Sequence, residues 1–354
     1  MATDLTSNPP DLRIAIIGSG TIGLSFAALH LSHPNNNRPG RTVQVIIYDP
    51  RPDLKEYIEG TLPGYLDSDS NSPSNSSDNV EDRQAAAGLT VSSLLSTDRL
   101  VIAPSLASAV EHADIVQEQG PENIAFKQTL WPQIESSAPE YALFWSSTSG
   151  IPASVQGKNM RNPSRLLIVH PFNPPHIMPL LEIVPPAGEG DSSSVNITRT
   201  LDYWKSLGRS PVVLKEEVTG FVANRLAFAL LREAVHLVNT GVVTAEEVDR
   251  VVEESMGPRW AVRGPFWSYH AGGGKEKGLR GFLEKIGDTV QACWDDAGSP
   301  NLRRKMEGED ESSGWEDRLC EQVEQAYGGL GDKDLRERDR KTRKVLEVTR
   351  SGDF

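Results

Sequence analysis

Short apolar runs dominate the hydrophobic pattern of the first part of the chain, and turns rich in Gly, Pro, Asn and Ser separate them. Runs such as 12–17 and 43–48 have the length and the β-branched content of buried strands. Segments with helical periodicity alternate with these runs, and beyond them only helical patterns remain. The sequence therefore predicts an α/β domain over residues 12–213, with a doubly wound sheet, followed by an all-α domain over residues 214–354.

Two stretches differ from this pattern. Residues 1–11 form a polar N-terminal arm, and residues 67–82 are a low-complexity loop composed mostly of Asp, Ser and Asn. A segment of this composition buries too little apolar surface to form a packed core, so we expect a mobile loop at 67–82. In the helical part, Thr244 and Glu247 have the spacing of a capping box, and the helix that begins there is expected to end before Gly257-Pro258.

A glycine-rich turn follows the first predicted strand, with the sequence Gly18-Ser-Gly20-Thr21-Ile22-Gly23. In a strand–turn–helix context these glycines allow a tight turn, close approach of a pyrophosphate to the backbone, and close packing of the helix on the strand. We therefore expect a Rossmann-type sheet that binds a dinucleotide at the start of the helix.

The second predicted strand ends in an acid, Asp49, which can accept hydrogen bonds from ribose hydroxyls and repels a 2′-phosphate. This arrangement favours NAD over NADP as the cofactor. Arg51, two residues further on, leaves the alternative of a phosphate partner open.

A histidine and a carboxylate occupy two neighbouring apolar runs. His170 ends the run Arg165-Leu-Leu-Ile-Val-His170, and a Pro/Asn-rich turn leads to a second run that contains Glu182 as its one charge. Because a carboxylate in a buried strand is costly unless it is paired, we expect Glu182 to contact His170. Such a pair orients an imidazole for proton transfer. A structural histidine with an edge-strand glutamate is the alternative.

Two further polar residues are candidates for the same site. Ser149 follows an apolar strand that ends in hydroxyl residues, at the edge of an open α/β sheet where ligands bind. Asn224 falls within the first turns of a long apolar-periodic helix, from which its amide can project into a cleft. A Ser/Thr-rich turn and a polar residue on a helix face are the ordinary alternatives.

These motifs, in this order, resemble those of the L-3-hydroxyacyl-CoA dehydrogenase family. The resemblance rests on G-S-G-T-I-G, P-E-N-I-A-F-K, S-S-T-S-G, H-P-F-N-P-P, L-L-E-I-V and G-F-V-A-N-R, and it covers about residues 12–290. It implies that His170 takes the proton of a secondary alcohol, that Glu182 orients the imidazole, and that Ser149 and Asn224 hold the substrate oxygen. It further implies that Glu122 and Lys127 lie near the ribose and nicotinamide of NAD. An exposed pair of helix charges is the alternative for these two residues.

The resemblance also bears on the substrate. The H-P-F-N-P-P form and the segment Met256–Pro265 are similar to the lambda-crystallin and L-gulonate 3-dehydrogenase branch, which implies a small hydroxy acid whose carboxylate is bound by Arg259. A salt bridge within the helical domain is the alternative for Arg259. A 3-hydroxyacyl-CoA is the alternative substrate, as is carnitine, because the stretch Trp260–Gly281 is similar to bacterial carnitine dehydrogenases. A non-catalytic, crystallin-like NAD-binding protein is the third hypothesis.

Composition excludes several other classes. The net charge of −13 without a basic stripe argues against nucleic-acid binding. The two cysteines, Cys293 and Cys320, support neither a disulfide framework nor a metal site. The sequence shows no apolar run long enough for a membrane span and no signal segment, so a cytoplasmic protein is expected. The resemblance implies a homodimer formed by the helical domain.

Overall fold

The computed structural model describes residues 11–36, 42–66, 89–187, 194–300 and 315–350. The predicted low-complexity loop and all of the predicted N-terminal arm except Asp11 lie outside these residues. The chain divides into two compact units, Met1–Val222 and Ala223–Phe354.

The described part of the first unit is built on one sheet with the strand order β3-β2-β1-β4-β5-β6-β7-β8. The first six strands have the order of a dinucleotide-binding Rossmann sheet and are parallel to one another. β7 pairs antiparallel with β6, and β8 pairs parallel with β7. The strands are β1 Leu12–Ile17, β2 Val43–Tyr48, β3 Leu100–Ile102, β4 Ile115–Glu118, β5 Leu143–Ser146, β6 Leu166–Pro171, β7 Leu180–Val184 and β8 Ser210–Val213.

Both faces of the central strands β1, β4, β5 and β6 are buried. Along β1, Ile14 and Ile16 belong to one apolar core, whereas Ala15 and Ile17 belong to the other. Burial on both faces is why the strands are nearly continuous apolar runs in the sequence rather than alternating ones. The helices of this unit are α1 Thr21–Ser32, α2 Leu54–Thr61, α3 Pro63–Leu66, α4 Val91–Ser96, α5 Leu106–Val110, α6 Ile124–Ser137, α7 Ala153–Gln156 and α8 Ser194–Ser206. The doubly wound fold predicted from the sequence is confirmed.

The described part of the second unit is helical, as predicted. Its helices are α9 Ala223–Asn239, α10 Ala245–Val251, α11 Gly257–Val262, α12 Pro265–Gly272, α13 Gly278–Asp296, α14 Trp315–Tyr327 and α15 Asp332–Arg350. None of the helices described in either unit is long and apolar enough to cross a membrane.

The capping box at the start of α10 is confirmed, because Thr244 accepts a hydrogen bond from the Glu247 amide and the Glu247 side chain accepts one from Thr244. The predicted end of this helix before Gly257-Pro258 is wrong. The chain continues through a π-helical turn, Val252–Met256, directly into α11. Pro258 is the second residue of α11, directly after the π-helical turn.

A buried histidine links α1 to the sheet and to α8. His30 Nε2 lies 2.9 Å from Oε1 of Gln117 on β4, and its Nδ1 lies 2.7 Å from the hydroxyl of Tyr203 on α8. Burial, opposed by the hydrogen bond to Gln117 and assisted by the charge of Arg209, lowers the pKa of His30 from 6.5 to about 4. The neutral imidazole is therefore part of the core.

We expect this histidine to make the protein sensitive to acid. Because the pKa of His30 is lower in the folded state, its contribution is complete above pH 6.5 and is lost as the pH falls from 6.5 towards about 4. The free energy of unfolding should fall by up to about 3 kcal/mol over this range, and His30→Gln should flatten the dependence. Urea denaturation at several pH values measures it, with His112→Gln, at an exposed histidine, as control. A pH dependence equal in both variants would contradict this account.

Candidate active site

The glycine turn between β1 and α1 has the geometry of a phosphate-binding loop. Gly18 has φ +101°, and a Cβ there would lie 3.0 Å from the carbonyl oxygen of Gln119. A Cβ on Gly23 would meet the Gly18 carbonyl oxygen at 2.0 Å, so only glycine allows α1 to pack this closely on the turn. By contrast, nothing lies within 4 Å of a Cβ built on Gly20.

This open space fits a dinucleotide. Among the residues that the structure describes, no side chain caps the N-terminus of α1, so the amides of its first turn, including those of Thr21 and Ile22, are available to an anion. A pyrophosphate can approach the backbone at Gly20, because the residue carries no Cβ and, in the described part of the chain, no packed atom lies within 4 Å of where a Cβ would be. The residues that were predicted to bind the cofactor phosphates are thus compatible with a bound pyrophosphate.

Asp49 connects the end of β2 to the glycine turn. Its Oδ2 accepts hydrogen bonds from the amide and the hydroxyl of Ser19, at 2.8 and 2.9 Å, and its Oδ1 accepts one from the Arg51 amide at 3.0 Å. A carboxylate has about four acceptor sites, so capacity remains for a ribose hydroxyl. The Arg51 guanidinium forms two hydrogen bonds with Asp53 and stacks 3.6 Å from the ring centroid of Tyr57. Arg51, the cation that left NADP as an alternative cofactor in the sequence analysis, therefore has an acidic partner in Asp53.

We expect Asp49→Ser to weaken the preference of the protein for NAD. Loss of a charged hydrogen bond to the ribose costs ~1.5–3 kcal/mol, so kcat/KM for NAD should fall by about one to two decades. The value for NADP should fall less, because the repulsion of a 2′-phosphate is removed as well. Steady-state kinetics with both cofactors measure the ratio. Glu56→Gln is the control, since it removes an exposed acid from α2 and leaves the end of β2 intact. An unchanged ratio in Asp49→Ser would contradict this role.

The predicted contact between His170 and Glu182 is present. The two residues are directly paired across β6 and β7, and His170 Nδ1 lies 2.8 Å from Oε2 of Glu182. Both side chains are buried. An ionised carboxylate only accepts hydrogen bonds, so Nδ1 donates its proton to Glu182 and Nε2 keeps a lone pair that can accept a proton. The pair has the arrangement of a general base with its orienting carboxylate.

Three contacts of this pair were not predicted from the sequence. The second carboxylate oxygen of Glu182 accepts a hydrogen bond from the Val222 amide at 2.9 Å. Two aromatic rings lie against the imidazole, with centroid distances of 5.5 Å for Phe172 and 5.3 Å for Phe221. A backbone donor 40 residues away in the chain leaves no signal in the sequence near Glu182.

Ser149 is held by one of the two residues predicted to lie near the cofactor. Glu122 Oε1 accepts hydrogen bonds from the amide and hydroxyl of Ser149, at 2.5 and 3.1 Å, and Oε2 accepts one from the Thr148 hydroxyl at 2.6 Å. Ser149 follows β5, whose carboxyl end lies at the same edge of the sheet as the carboxyl end of the parallel strand β6, which bears His170. Glu122 therefore orders the turn that carries Ser149.

Lys127 has a partner that was not predicted. Its Nζ lies 2.8 and 2.9 Å from the two carboxylate oxygens of Glu118 at the end of β4, and the two side chains are 1% and 0% exposed. Glu118 also accepts hydrogen bonds from the Ser146 hydroxyl and the Gly120 amide. In the sequence, this contact was indicated by the position of Glu118, an acid at the end of an apolar strand. The cofactor contact of Lys127 stays a prediction.

The remaining predicted residues belong to the second unit. Asn224 is the second residue of α9 and is half-buried. Arg259 is the third residue of α11 and is exposed. Their roles in holding the substrate oxygen and a carboxylate stay predictions.

The sequence is similar to those of two named dehydrogenases, and the structure is similar to that of a third. The L-carnitine dehydrogenase of Oceanobacillus iheyensis is 34% identical over 295 residues, which cover 83% of this chain and 86% of that protein. The 3-hydroxyacyl-CoA dehydrogenase of Gibberella moniliformis is 35% identical over 286 residues, which cover 80% of each. A similar solved structure is that of 5-formyl-3-hydroxy-2-methylpyridine 4-carboxylic acid 5-dehydrogenase, an NAD+-dependent dismutase. Its sequence is 26% identical, and the TM-score is 0.69. The match covers 96% of this chain and 98% of that one.

Family models match most of the chain. Residues 13–217 match the NAD-binding domain of 3-hydroxyacyl-CoA dehydrogenase, and residues 220–300 match the C-terminal domain of the same family. The first match contains the glycine turn, Asp49 and the His170–Glu182 pair, and the second contains Asn224 and Arg259. The chain therefore belongs to the 3-hydroxyacyl-CoA dehydrogenase family and is an NAD-dependent oxidoreductase that acts on a CH–OH group.

Proposed function

We propose that this protein oxidises the 3-hydroxyl group of a small hydroxy acid of the carnitine type. The observation that carries the proposal is the similarity to L-carnitine dehydrogenases from several bacteria, among them the protein of Streptomyces coelicolor, which is 31% identical over 98% of this chain and 97% of its own length. The similarity to these relatives favours carnitine, which was an alternative substrate in the sequence analysis, over L-gulonate, the substrate implied by the resemblance to the lambda-crystallin branch.

The proposed chemistry uses residues of the first unit. NAD, when bound, supplies the hydride acceptor. His170 accepts the hydroxyl proton at Nε2, and Glu182 stabilises the resulting imidazolium through the 2.8 Å hydrogen bond to Nδ1. The Ser149 hydroxyl, which has one proton, turns from Glu122 to donate to the substrate oxygen, while the Ser149 amide keeps its hydrogen bond to Glu122. Asn224 belongs to the second unit, and its role towards the substrate oxygen stays a prediction.

The basic residues of the segment 50–99 favour a small substrate over a CoA thioester. Phosphates of CoA require cationic partners, and the segment 50–99 contains four basic residues. Three of these are described: Arg51 is bound to Asp53, Lys55 lies 3.9 Å from Glu59, and Arg99 donates to the Leu31 carbonyl. A 3-hydroxyacyl-CoA remains the second candidate, because the relative from Gibberella moniliformis carries that name.

Carnitine carries a carboxylate, for which Arg259 is the proposed partner. A guanidinium binds a carboxylate through two parallel hydrogen bonds, and Arg259 is exposed on α11. The net charge of −13 also favours a substrate with a cationic group over a polyanion.

A substrate panel tests this proposal. Formation of NADH is followed with L-carnitine, 3-hydroxybutyryl-CoA and L-gulonate, and we expect kcat/KM to be highest for L-carnitine. Arg259→Met should raise KM for a free acid by about one to two decades, since a charged hydrogen bond is lost, and should leave the affinity for NADH unchanged. Preference for the CoA thioester, with no effect of Arg259→Met, would establish the second candidate instead.

We also propose that the protein is a homodimer that pairs through its second unit. The apolar side chains of Leu226, Phe228 and Leu231 on α9 are each more than half exposed. Phe228 and Leu231 are three residues apart and share one face of α9. Exposed apolar residues on a helix face are typical of a protein interface. Sedimentation velocity should give a dimer that Phe228→Glu dissociates, whereas Val195→Glu, at an exposed valine of α8, should not. A monomeric wild-type protein would refute the proposal.

A further inference from the structure

The turn before α9 has an unusual backbone. Gly220 and Phe221 both lie in the left-handed region, with φ values of +74° and +53°. Glycine adopts this conformation freely, but a bulky aromatic residue rarely does. Phe221 is nevertheless fully buried within the first unit, and its amide donates to the Val218 carbonyl at 3.0 Å. The side chain at 221 is therefore held in a strained backbone position.

This conformation brings two groups to the His170–Glu182 pair. The ring of Phe221 lies against the imidazole of His170, with a centroid distance of 5.3 Å and an interplanar angle of 49°. The next amide in the chain, that of Val222, donates to Glu182 Oε1 at 2.9 Å, while His170 donates to Oε2. Phe221 thus contacts the imidazole with its ring. Its backbone conformation also directs the Val222 amide towards the Glu182 carboxylate.

The backbone requirement alone does not account for phenylalanine. A turn that needed only a positive φ at position 221 would be more stable with Gly or Asn, which adopt this region at low cost. Filling a core alone does not account for it either, because apolar volume is available from residues in ordinary conformations. In its strained position the Phe221 ring contacts the imidazole of His170, as does the ring of Phe172.

We propose that Phe221 is a positioning residue for the hydride-transfer reaction. Its ring limits rotation of the His170 imidazole and keeps water away from the Nδ1–Glu182 hydrogen bond, while the left-handed turn directs the Val222 amide to Glu182. The imidazole is then held ready to accept a proton at Nε2. This inference rests on the proposed role of His170 as the general base.

Phe221→Leu tests the proposal, with Phe144→Leu as the matched control. Phe144 is also fully buried in the first unit, where its ring packs on Trp131 and Arg165. We expect kcat of Phe221→Leu to fall by about one to two decades, as misplacement of a reacting group does, with both KM values close to those of the wild type. Phe144→Leu should lose stability without a comparable fall in kcat. Phe221→Met, whose flexible side chain fills irregular gaps, replaces Phe221→Leu if the latter does not fold.

A second readout does not depend on turnover. In protein labelled with ¹⁵N-histidine, the Nδ1–H signal of His170 is identified by its loss in His170→Gln. Its exchange with water should accelerate in Phe221→Leu and not in Phe144→Leu. Equal kcat in the two variants together with unchanged exchange would overturn the proposal. If His170→Gln keeps the wild-type turnover, His170 is not the general base. If Phe221→Leu still accelerates exchange of the Nδ1–H proton in that case, the positioning of the imidazole by Phe221 is nevertheless supported.

Discussion

Replacing His170 with Gln is expected to lower kcat by about 10²–10⁴-fold, which is the usual contribution of a positioned acid–base group. Glutamine keeps a hydrogen-bond donor towards Glu182, but it cannot accept a proton at neutral pH. The dissociation constant of NADH should change little, because the glycine turn and Asp49 are unaltered. Stopped-flow or steady-state measurements of NADH formation, with NADH titration by fluorescence, give both quantities.

The matched variant is Glu182→Gln. Its amide can satisfy one of the two donors, His170 Nδ1 or the Val222 amide, but presents an NH2 group to the other. We expect kcat to fall in this variant as well, because the imidazolium formed during the reaction loses its anionic partner. A His170→Gln protein that retains most of the wild-type turnover would refute the assignment of the base, whatever Glu182→Gln does.

Lys127→Met is expected to lower the free energy of unfolding by ~3–5 kcal/mol, the usual cost of removing one partner of a buried ion pair. In the described part of the chain, the variant leaves the Glu118 carboxylate, which is 0% exposed, with the Ser146 hydroxyl and the Gly120 amide as donors. Urea denaturation monitored by tryptophan fluorescence measures the change, since Trp131 and Trp145 lie in the cores of the same unit.

The double variant Lys127→Met/Glu118→Gln serves as the control. It removes both charges, so we expect it to be more stable than Lys127→Met alone, as replacement of a whole buried pair often is. NADH affinity measured on the same proteins separates stability from cofactor binding. A Lys127→Met protein of normal stability that binds NADH weakly would show that the lysine serves the cofactor and would contradict the structural role.

Much of the first unit is predictable because its determinants are local or strongly patterned. The strand–glycine–helix sequence around Gly18, Gly20 and Gly23 specifies both a backbone conformation and the elements on either side of it. The His170–Glu182 contact was predictable for another reason: a charge within an apolar strand demands a partner, and the preceding strand offers a suitable one.

The missed features depend on contacts between segments whose proximity has no sequence signal. Glu118 and Lys127 are charges of ordinary appearance at a strand end and on a helix, and only the packing of α6 on β4 brings them together in a buried place. The Val222 donor is a backbone amide, which every residue except proline has. The helical path through Gly257-Pro258 was missed because a π-helical turn, Val252–Met256, joins α10 to α11, and π-helical turns are too rare to be expected from a sequence.

The pairing of His170 with Glu182 makes the active site sensitive to loop length. The two strands meet residue for residue, with Pro171 opposite Leu181, so the connection 172–179 determines which residue faces the histidine. Side chains alternate between the faces of a sheet, so insertion or deletion of one residue in this connection that slides β7 by one position would turn Glu182 to the opposite face. Chimaeras and loop grafts in this protein should therefore conserve the number of residues between the two strands, even where the residues themselves are free to change.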